Sequence, residues 1–414
     1  MTFEDLKTVL FARSNFGMKL GLDRMREALR LLGDPQLRYP TLHVAGTNGK
    51  GSTCAFAEAS LRAAGLRTGL YTSPHLRHFC ERIRVGFEPI AEERAAALLD
   101  EIVRRVPWAL DGGDGLTFFE LATLMGFLAF AQERVDVAVI EVGLGGRLDA
   151  TNVLEARACA IAPLGLEHTE YLGPTLTDIA REKAGILRAG APAVTAAQEP
   201  EAAAVLAATP ARWLDYAFDE EPFAYRGPAW TVRARLSLAG LHQAGNAALA
   251  CALLEAAALP GVEPRHLEQG LATARWPGRL EVCAGSPRIL VDGAHNPHAA
   301  RSLARTLAGM PPWHLVFGCL QDKDAGAMLA ALAPLAASVH FCAPDSPRAR
   351  APQDLAASWP GGVAHQTLRA ALEAARSAAG PAGTVVCCGS LYLAGEVSAL
   401  LSGEEAARMP SERL

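Results

Sequence analysis

Long hydrophobic runs are missing from this chain. The longest apolar stretch, Phe118 to Ala131, has about fourteen residues and includes Glu120 and Thr123, whereas a membrane span needs about twenty apolar residues. The opening Met1-Thr-Phe-Glu-Asp5 has no basic segment followed by an apolar one, so no secretory leader is expected and the cytoplasm is the expected location. Basic charge is not in excess: 39 Lys and Arg stand against 44 Asp and Glu, a net charge of −5. That excludes the electrostatic footprint of a general nucleic-acid or anionic-membrane binder and favours small-molecule partners. The nine cysteines stand singly apart from Cys387 and Cys388. No C-x-x-C and no Cys/His group at zinc spacing occurs, so they are expected as reduced core thiols. A G-x-S-x-G nucleophile elbow and a fixed-period repeat are also lacking.

What is present is the composition of a folded enzyme. Half of the 414 residues are hydrophobic and 20% are charged, and this length exceeds what one core usually supports, so two domains are expected. From Thr41 onward, short apolar runs alternate with longer periodic segments, as strands and crossover helices do in a parallel sheet. Thr41–Ala45 leads into a Gly-rich turn, Thr68–Thr72 to Ser73, 135–140 to Glu141, and Ala158–Ala162 towards His168. Ligands of such sheets lie beyond the carboxyl ends of the strands, so these polar residues are expected to share one rim. About 221–238 reads differently. Trp230 to Leu238 alternates with period two, suggesting a small accessory antiparallel sheet. Asn246 is expected to open an Ala-rich helix that Pro260-Gly261 stops. Turn residues thicken around Trp276-Pro-Gly-Arg279 and Gly285-Ser-Pro287, which places the expected boundary near 285: a first domain of 1–285 and a second of 286–414. Strands expected at 289–292, 314–318, 338–343 and 384–389, with Ala-rich helices between, suggest a smaller Rossmann-like domain. The tail beyond Gly403 is expected to fray.

The strongest chemical signal is Leu42-His-Val-Ala-Gly46-Thr-Asn-Gly49-Lys50-Gly51-Ser52-Thr53. Glycines let backbone N–H groups face phosphate oxygens, the helix start adds positive potential, Lys50 reaches a polyphosphate, and Ser52 or Thr53 can ligate Mg²⁺. The spacing departs from the strict P-loop because Val44 stands where its first glycine would be and Gly51 follows the lysine. Glu141 ends an apolar strand, where a carboxylate can take phosphate-bound Mg²⁺. The following Gly143, Gly145, Gly146 and Arg147 suggest close backbone approach to a ligand. Lys183 shares helical spacing with Leu176, Ile179, Ile186 and Leu187, and so lies on an apolar stripe. Either it snorkels to water or it has a depressed pKa and a special role. Asp292-Gly-Ala-His295-Asn296-Pro297 offers a ligand-contacting turn or an ordinary Asx turn that caps a helix.

Taken in order, His43 to Thr53, Thr72-Ser-Pro-His75-Leu, Phe118-Phe-Glu120, Glu141 to Asn152, Glu182-Lys-Ala-Gly-Ile, Trp276 to Glu281, Asp292 to Pro297 and Gly389-Ser-Leu-Tyr-Leu resemble the folylpolyglutamate synthase and dihydrofolate synthase family of the Mur ligase superfamily. The resemblance covers nearly the whole chain. It implies a Mur-ligase-type P-loop ATPase domain, then a Rossmann-like ligase domain, with the site in the cleft between them. ATP would be held by Gly46, Thr47, Asn48, Gly49, Lys50, Gly51, Ser52 and Thr53, with Asn246, Arg279 and Asp292. One or two Mg²⁺ would be ligated by Ser52, Ser73, Glu141, His168 and Lys183, the last as a carbamate. Phe118, Phe119, Glu120 and the stretch Asn15–Asp23 would line a pterin pocket, Arg147 and Asp149 would bind substrate, and His295 and Ser390 would contact glutamate. Catalysis would fall to Lys50, Lys183 and His295. Glu167 departs from the aspartate that the family more often has before this histidine.

The implied reaction joins L-glutamate to dihydropteroate, a reduced folate, or both through an acyl phosphate, in a monomer without nucleic-acid or membrane partners. A Mur-type ligase for another acid and amino acid is the nearest alternative; an ATP-driven switch and a non-catalytic folate binder are more distant ones.

Overall fold

The computed structural model describes residues 1–14, 19, 21–283 and 285–403. Most of 15–20 and the tail beyond 403, both addressed above, lie outside the described residues. Two compact units divide the chain: Met1–Ser237 with Gln243–Arg275, and Leu238–His242 with residues 276–403.

Among the described residues the main sheet of the first unit has eight strands: β1 (Thr41–Ala45), β2 (Thr68–Tyr71), β3 (Ile83–Val85), β4 (Glu88–Pro89), β5 (Val137–Glu141), β6 (Ala158–Ile161), β7 (Pro192–Thr195) and β8 (Arg212–Trp213), in the order β4-β3-β2-β5-β1-β6-β7-β8. β2 through β8 pair in parallel except across β2-β3 and β3-β4, which add an antiparallel edge. Every residue of β1, β2, β5 and β6 is buried. Helices cover both faces of such strands, which is why the runs are apolar without alternation. β2, β5, β1 and β6 are neighbours, so the polar residues that follow them share one rim.

The stretch too short for a membrane is the helix Phe118–Gln132, whose Leu121, Leu124, Met125, Phe127, Leu128 and Phe130 all enter one core. Its start is set by reciprocal capping: Thr117 Oγ1 accepts from the Glu120 N–H and Glu120 Oε2 accepts from the Thr117 N–H. Among the described residues no helix is long and apolar enough to cross a membrane. All nine cysteines are free, and all but Cys283 are buried.

Three short strands, β9 (Ala217–Asp219), β10 (Ala224–Arg226) and β11 (Thr231–Arg233), form the accessory antiparallel sheet in the order β11-β10-β9. The period-two pattern overstates its length: Ala234 to Leu238 carry no strand, and Ser237 instead bonds to the end of a helix at Leu271 and Ala274. The Ala-rich helix runs His242–Ala257, so Asn246 lies inside it rather than capping it. The second unit holds β12 (Glu281–Cys283), β13 (Arg288–Val291), β14 (Trp313–Phe317), β15 (Ser338–Phe341), β16 (Val363–Ala364) and β17 (Thr384–Cys388), in the order β12-β13-β17-β14-β15-β16. All pairs are parallel but the β12-β13 edge. Trp276 to Cys283 fold with this unit, although the expected boundary near 285 placed them in the first domain.

The helix behind the phosphate loop, Lys50–Ala63, packs on the helix Pro264–Thr273 through Gly270, where an added Cβ would lie 2.4 Å from the Ser60 Cα. Gly270→Ala therefore sets overpacking of roughly 1–3 kcal/mol against about 1 kcal/mol of helix propensity gained. The clash with backbone is expected to prevail, lowering stability in a urea titration; an unchanged or raised midpoint would refute this packing.

Candidate active site

The Gly-rich turn after β1 is shaped by protein contacts on both sides. Gly46 has φ +149°, and a Cβ there would sit 2.6 Å from the Ala162 Cβ, so only glycine fits. The N–H groups of Thr47 and Asn48 both donate to the Pro163 carbonyl, and Thr47 Oγ1 donates to the Gly165 carbonyl. These bonds lash the turn to the segment after β6. Gly49, at φ +85°, precedes the helix Lys50–Ala63, and the first bond into the helix runs from Thr53 N–H to the Gly49 carbonyl. The N–H groups at Lys50, Gly51 and Ser52 thus lack intrahelical acceptors and carry the positive end of the helix dipole. Ser52 and Thr53 are buried, and Thr53 Oγ1 has no hydrogen-bond partner. Asn246 closes the turn from the side: its Oδ1 lies where a Gly49 Cβ would come within 2.3 Å. Gln243 Oε1 accepts from Asn246 Nδ2 at 2.9 Å and fixes that amide.

Lys50 Nζ donates to the carbonyls of Gly46 (3.0 Å) and Thr47 (3.2 Å). Lys183 Nζ donates to the same Gly46 carbonyl at 2.8 Å. Lys183 is only 5% exposed, so it does not snorkel. Burial drives its pKa down to about 7; the Lys50 charge adds to this, and Glu167 and Asp149 oppose it.

Glu141, at the end of β5, is buried, and its Oε2 accepts from the Ser73 N–H at 3.1 Å. His168 sits at φ +51° at the head of the short helix Thr169–Leu172, with its Nε2 3.9 Å from Glu167 Oε1. Among the described residues no group of three His, Cys, Asp or Glu is poised for a metal. The fit for Mg²⁺ rests on other features: a buried strand-end carboxylate, the unpartnered Thr53 hydroxyl, and a Gly-rich turn on which a bound phosphate would bring its own oxygens. These are hard oxygen donors, and Ser52, Ser73 and His168 stand on the same rim.

The segment after Glu141 opens onto a cavity of about 140 Å³, lined among others by Arg13, Lys19, Phe119, Leu144, Tyr171 and Glu182. Phe118, Glu120, Arg147 and Asp149 reach it as well, but each has work elsewhere. Phe118 is 2% exposed, held edge-to-face by Phe79 at 6.0 Å and covered by the Arg82 guanidinium at 5.1 Å. Glu120 pairs with Arg24 at 3.0 Å besides capping its helix. Arg147 forks onto Glu182 Oε1 (2.8 and 3.1 Å). Asp149 accepts from the N–H groups of Leu144 and Thr151, both at 2.9 Å, while burial raises its pKa against those bonds. Phe119 packs on Gly143, and the other glycines serve protein contacts too. A Cβ on Gly146 would lie 2.8 Å from the Glu182 carbonyl, and one on Gly185 2.3 Å from the Arg147 Cβ. Arg13 and Tyr171 carried no recognisable motif in the sequence.

In the second unit, Asp292 ends just beyond β13, with its carboxylate accepting from the Leu280 N–H (2.9 Å) and the Ala294 N–H (2.8 Å). Arg279 NH1 donates to the Gly278 carbonyl at 3.0 Å. His295 Nδ1 lies 2.8 Å from the Gly293 carbonyl, and Asn296 caps the helix Pro297–Leu307 through the Ala299 N–H. Ser390 caps the helix Leu391–Ser402 through the Tyr392 N–H, and the Gly389 N–H donates to the Ala294 carbonyl. The turns after β13 and β17, neighbouring strands, are thereby joined.

Two measurements test this geometry. Gly49→Ala forces a left-handed conformation costing roughly 1–2 kcal/mol and pushes Asn246 aside, so, if this turn holds a nucleotide, affinity in calorimetry is expected to fall at least about tenfold; unchanged affinity would show that the Gly49–Asn246 contact does not shape a nucleotide site. For Lys183, the unfolded chain titrates near 10.5 and the folded one near 7. Between these values the unfolded state binds more protons, so stability rises with pH. In bicarbonate-free buffer the native protein should gain stability over this window relative to Lys183→Met; parallel pH profiles would show an ordinary lysine.

The Mur ligase middle domain matches residues 44–254, and the Mur ligase glutamate ligase domain matches 278–391. The dihydrofolate synthase/folylpolyglutamate synthase of Bacillus subtilis is 38% identical over 85% of this chain and 88% of its own length. A probable bifunctional folylpolyglutamate synthase/dihydropteroate synthase of Halobacterium salinarum is 39% identical, but the chain spans only 46% of that protein's length. E. coli FolC in complex with DHPP and ADP superposes with a TM-score of 0.88 at 32% identity, covering 97% of this chain and 98% of that one. A bifunctional folylpolyglutamate synthase/dihydrofolate synthase with Mn, AMPPNP and L-glutamate bound gives 0.86 at 33% identity, over 97% and 98%. The chain belongs to the dihydrofolate synthase/folylpolyglutamate synthase family of Mur ligases.

Proposed function

We propose that this chain is an ATP-dependent ligase that joins the amine of L-glutamate to the carboxyl of dihydropteroate, a reduced folate, or both. One observation carries the reading: a single segment runs from the rim of the sheet to the cavity. Its first residue, Glu141, meets Ser73 on the rim beside the phosphate loop, and Gly143 to Ala150 line the cavity. An acceptor held in that cavity is thus served by the segment that borders the nucleotide.

A carboxylate is a poor acylating agent. Transfer of the γ-phosphoryl group of ATP to it makes an acyl phosphate; the glutamate amine then attacks the acyl carbon, and phosphate leaves with the bonding pair. Lys50 and the N–H groups at the helix start stabilise the charge on the transferring phosphoryl group. Mg²⁺, when bound, neutralises phosphate charge; Ser52, Ser73, Glu141 and His168 are the residues assigned to hold it. Near pH 7 Lys183 is substantially a neutral amine, able to add to CO₂ and lose a proton, giving a carbamate that would contribute a further anionic oxygen ligand. Phe119 supplies a ring face for a pterin. Asn246, Arg279 and Asp292 are assigned to the nucleotide, and His295 and Ser390 to glutamate. The working unit is proposed to be a cytoplasmic monomer of 43.7 kDa.

The test is phosphate release from MgATP with glutamate and dihydropteroate, tetrahydrofolate or no acceptor, with products identified by mass. Glutamate-dependent mass gain on either pterin is expected. Release indifferent to both pterin and glutamate would sink the ligase reading, and glutamate-dependent release confined to non-pterin acids would favour another Mur-type pair. Lys50→Ala should lower turnover by at least about a hundredfold with an unchanged circular dichroism spectrum. With ¹³C-bicarbonate, the native protein should show a carbamate carbon resonance that Lys183→Arg lacks.

A further inference from the structure

Behind the cavity, the loop that lines it is tied to β1 by buried hydrogen bonds that the reaction itself does not use. His43, in the middle of β1, is 1% exposed, and its Nε2 lies 2.8 Å from Thr151 Oγ1. Thr151 is fully buried; its hydroxyl donates to Asp149 Oδ1, and its N–H donates to the same oxygen at 2.9 Å. Asp149 Oδ2 accepts from the Leu144 N–H at 2.9 Å, and the Gly143 N–H also donates to this carboxylate. Leu144 and Gly143 line the cavity.

The direction of this chain follows from counting protons. A threonine hydroxyl has one, and it goes to Asp149. His43 Nε2 must therefore be the donor, which fixes the Nε2–H tautomer. Burial and the nearby Arg188 charge lower the His43 pKa to about 3, so the ring is neutral across the physiological range. Every partner of Asp149 is a donor, as an ionised carboxylate requires.

We infer that His43 and Thr151 are positioning residues for the acceptor pocket: they hold the Asp149 carboxylate, and through it the Gly143 and Leu144 N–H groups, in the shape that binds the pterin-bearing acid. This rests on the acceptor reading above.

The experiment compares native protein, His43→Gln, His43→Leu and Thr151→Val. Glutamine can place an N–H where Nε2–H stood, leucine fills the space without a donor, and valine keeps the shape of threonine. Three quantities are measured: dihydropteroate affinity by fluorescence, ATP-analogue affinity by calorimetry, and amide exchange over residues 143–152 in ligand-free protein. His43→Leu and Thr151→Val are expected to weaken dihydropteroate binding about tenfold, leave nucleotide affinity within about twofold, and speed exchange at Leu144. His43→Gln should recover most of the loss. Native-like acceptor binding and Leu144 exchange in both His43→Leu and Thr151→Val would overturn the inference, as would equal losses for nucleotide and acceptor. If native protein ignores dihydropteroate, the acceptor reading fails, while the exchange comparison still decides whether His43 holds the loop.

Discussion

Two ammonium groups aimed at one carbonyl oxygen form an arrangement that Coulomb repulsion opposes. Unit charges about 4 Å apart repel by roughly 4 kcal/mol at an effective dielectric near 20, yet Lys50 and Lys183 both donate to Gly46. Two things relieve the repulsion: loss of the Lys183 proton, or arrival of anionic charge. Burial, with the Lys50 charge adding to it, lowers the Lys183 pKa and so favours the first; the second is what a polyphosphate brings. Much of the surrounding architecture keeps this focus in place. Gly46 can adopt its conformation only because it lacks a Cβ, Ala162 closes against it, and Pro163 and Gly165 take up the backbone and hydroxyl donors of Thr47.

From that focus the segment 141–152 extends to the cavity, and its rigidity comes from protein contacts. Asn152 Nδ2 donates to the Arg147 and Gly185 carbonyls, and its Oδ1 accepts from Arg188. Gly146 and Gly185 allow the segment to lie directly on the helix Leu176–Ala184 that carries Lys183. One wall therefore fixes both the lysine helix and the lining of the cavity. A loop pinned this way can hold pocket geometry without order being induced by ligand, which lowers the entropic cost of binding.

Much of this was legible in the sequence, for identifiable reasons. Buried parallel strands read as unbroken apolar runs, so β1, β2, β5, β6 and, in the second unit, β13, β14, β15 and β17 were found to within a residue or two, whereas the short edge strands β12 and β16 were not expected. The rim followed from topology. Tertiary competition was harder to read. The pattern from Trp230 to Leu238 looked like one strand, but Ser237 is drawn to the end of a neighbouring helix. Asn246 looked like a cap, since nothing local indicates that His242 to Gly245 continue the helix or that Gly49 lies against its amide. Glu120 and Asp149 read as ligand contacts, but each carboxylate also completes a local hydrogen-bond pattern within a few residues. Arg13, far away in sequence, joined the cavity through contacts at Gly112 and Leu116 that no spacing rule encodes.

The buried cations of the first unit separate structural duty from chemical duty. Arg13 donates to the Leu116 and Gly112 carbonyls, Arg84 to those of Glu81 and Phe87, and Arg82 to His75 Nδ1 while stacking on Phe118. A guanidinium keeps its charge when buried and spreads it over several donors, so it is suited to pinning backbone permanently. Lys183 is buried as deeply as these, but a lysine holds a compact charge that it can shed, and burial moves its pKa to about 7. Had the position required only a fixed cation, arginine would have met the need at lower risk of neutralisation. A lysine there can lose its proton, and the neutral amine, unlike the ammonium, has a lone pair.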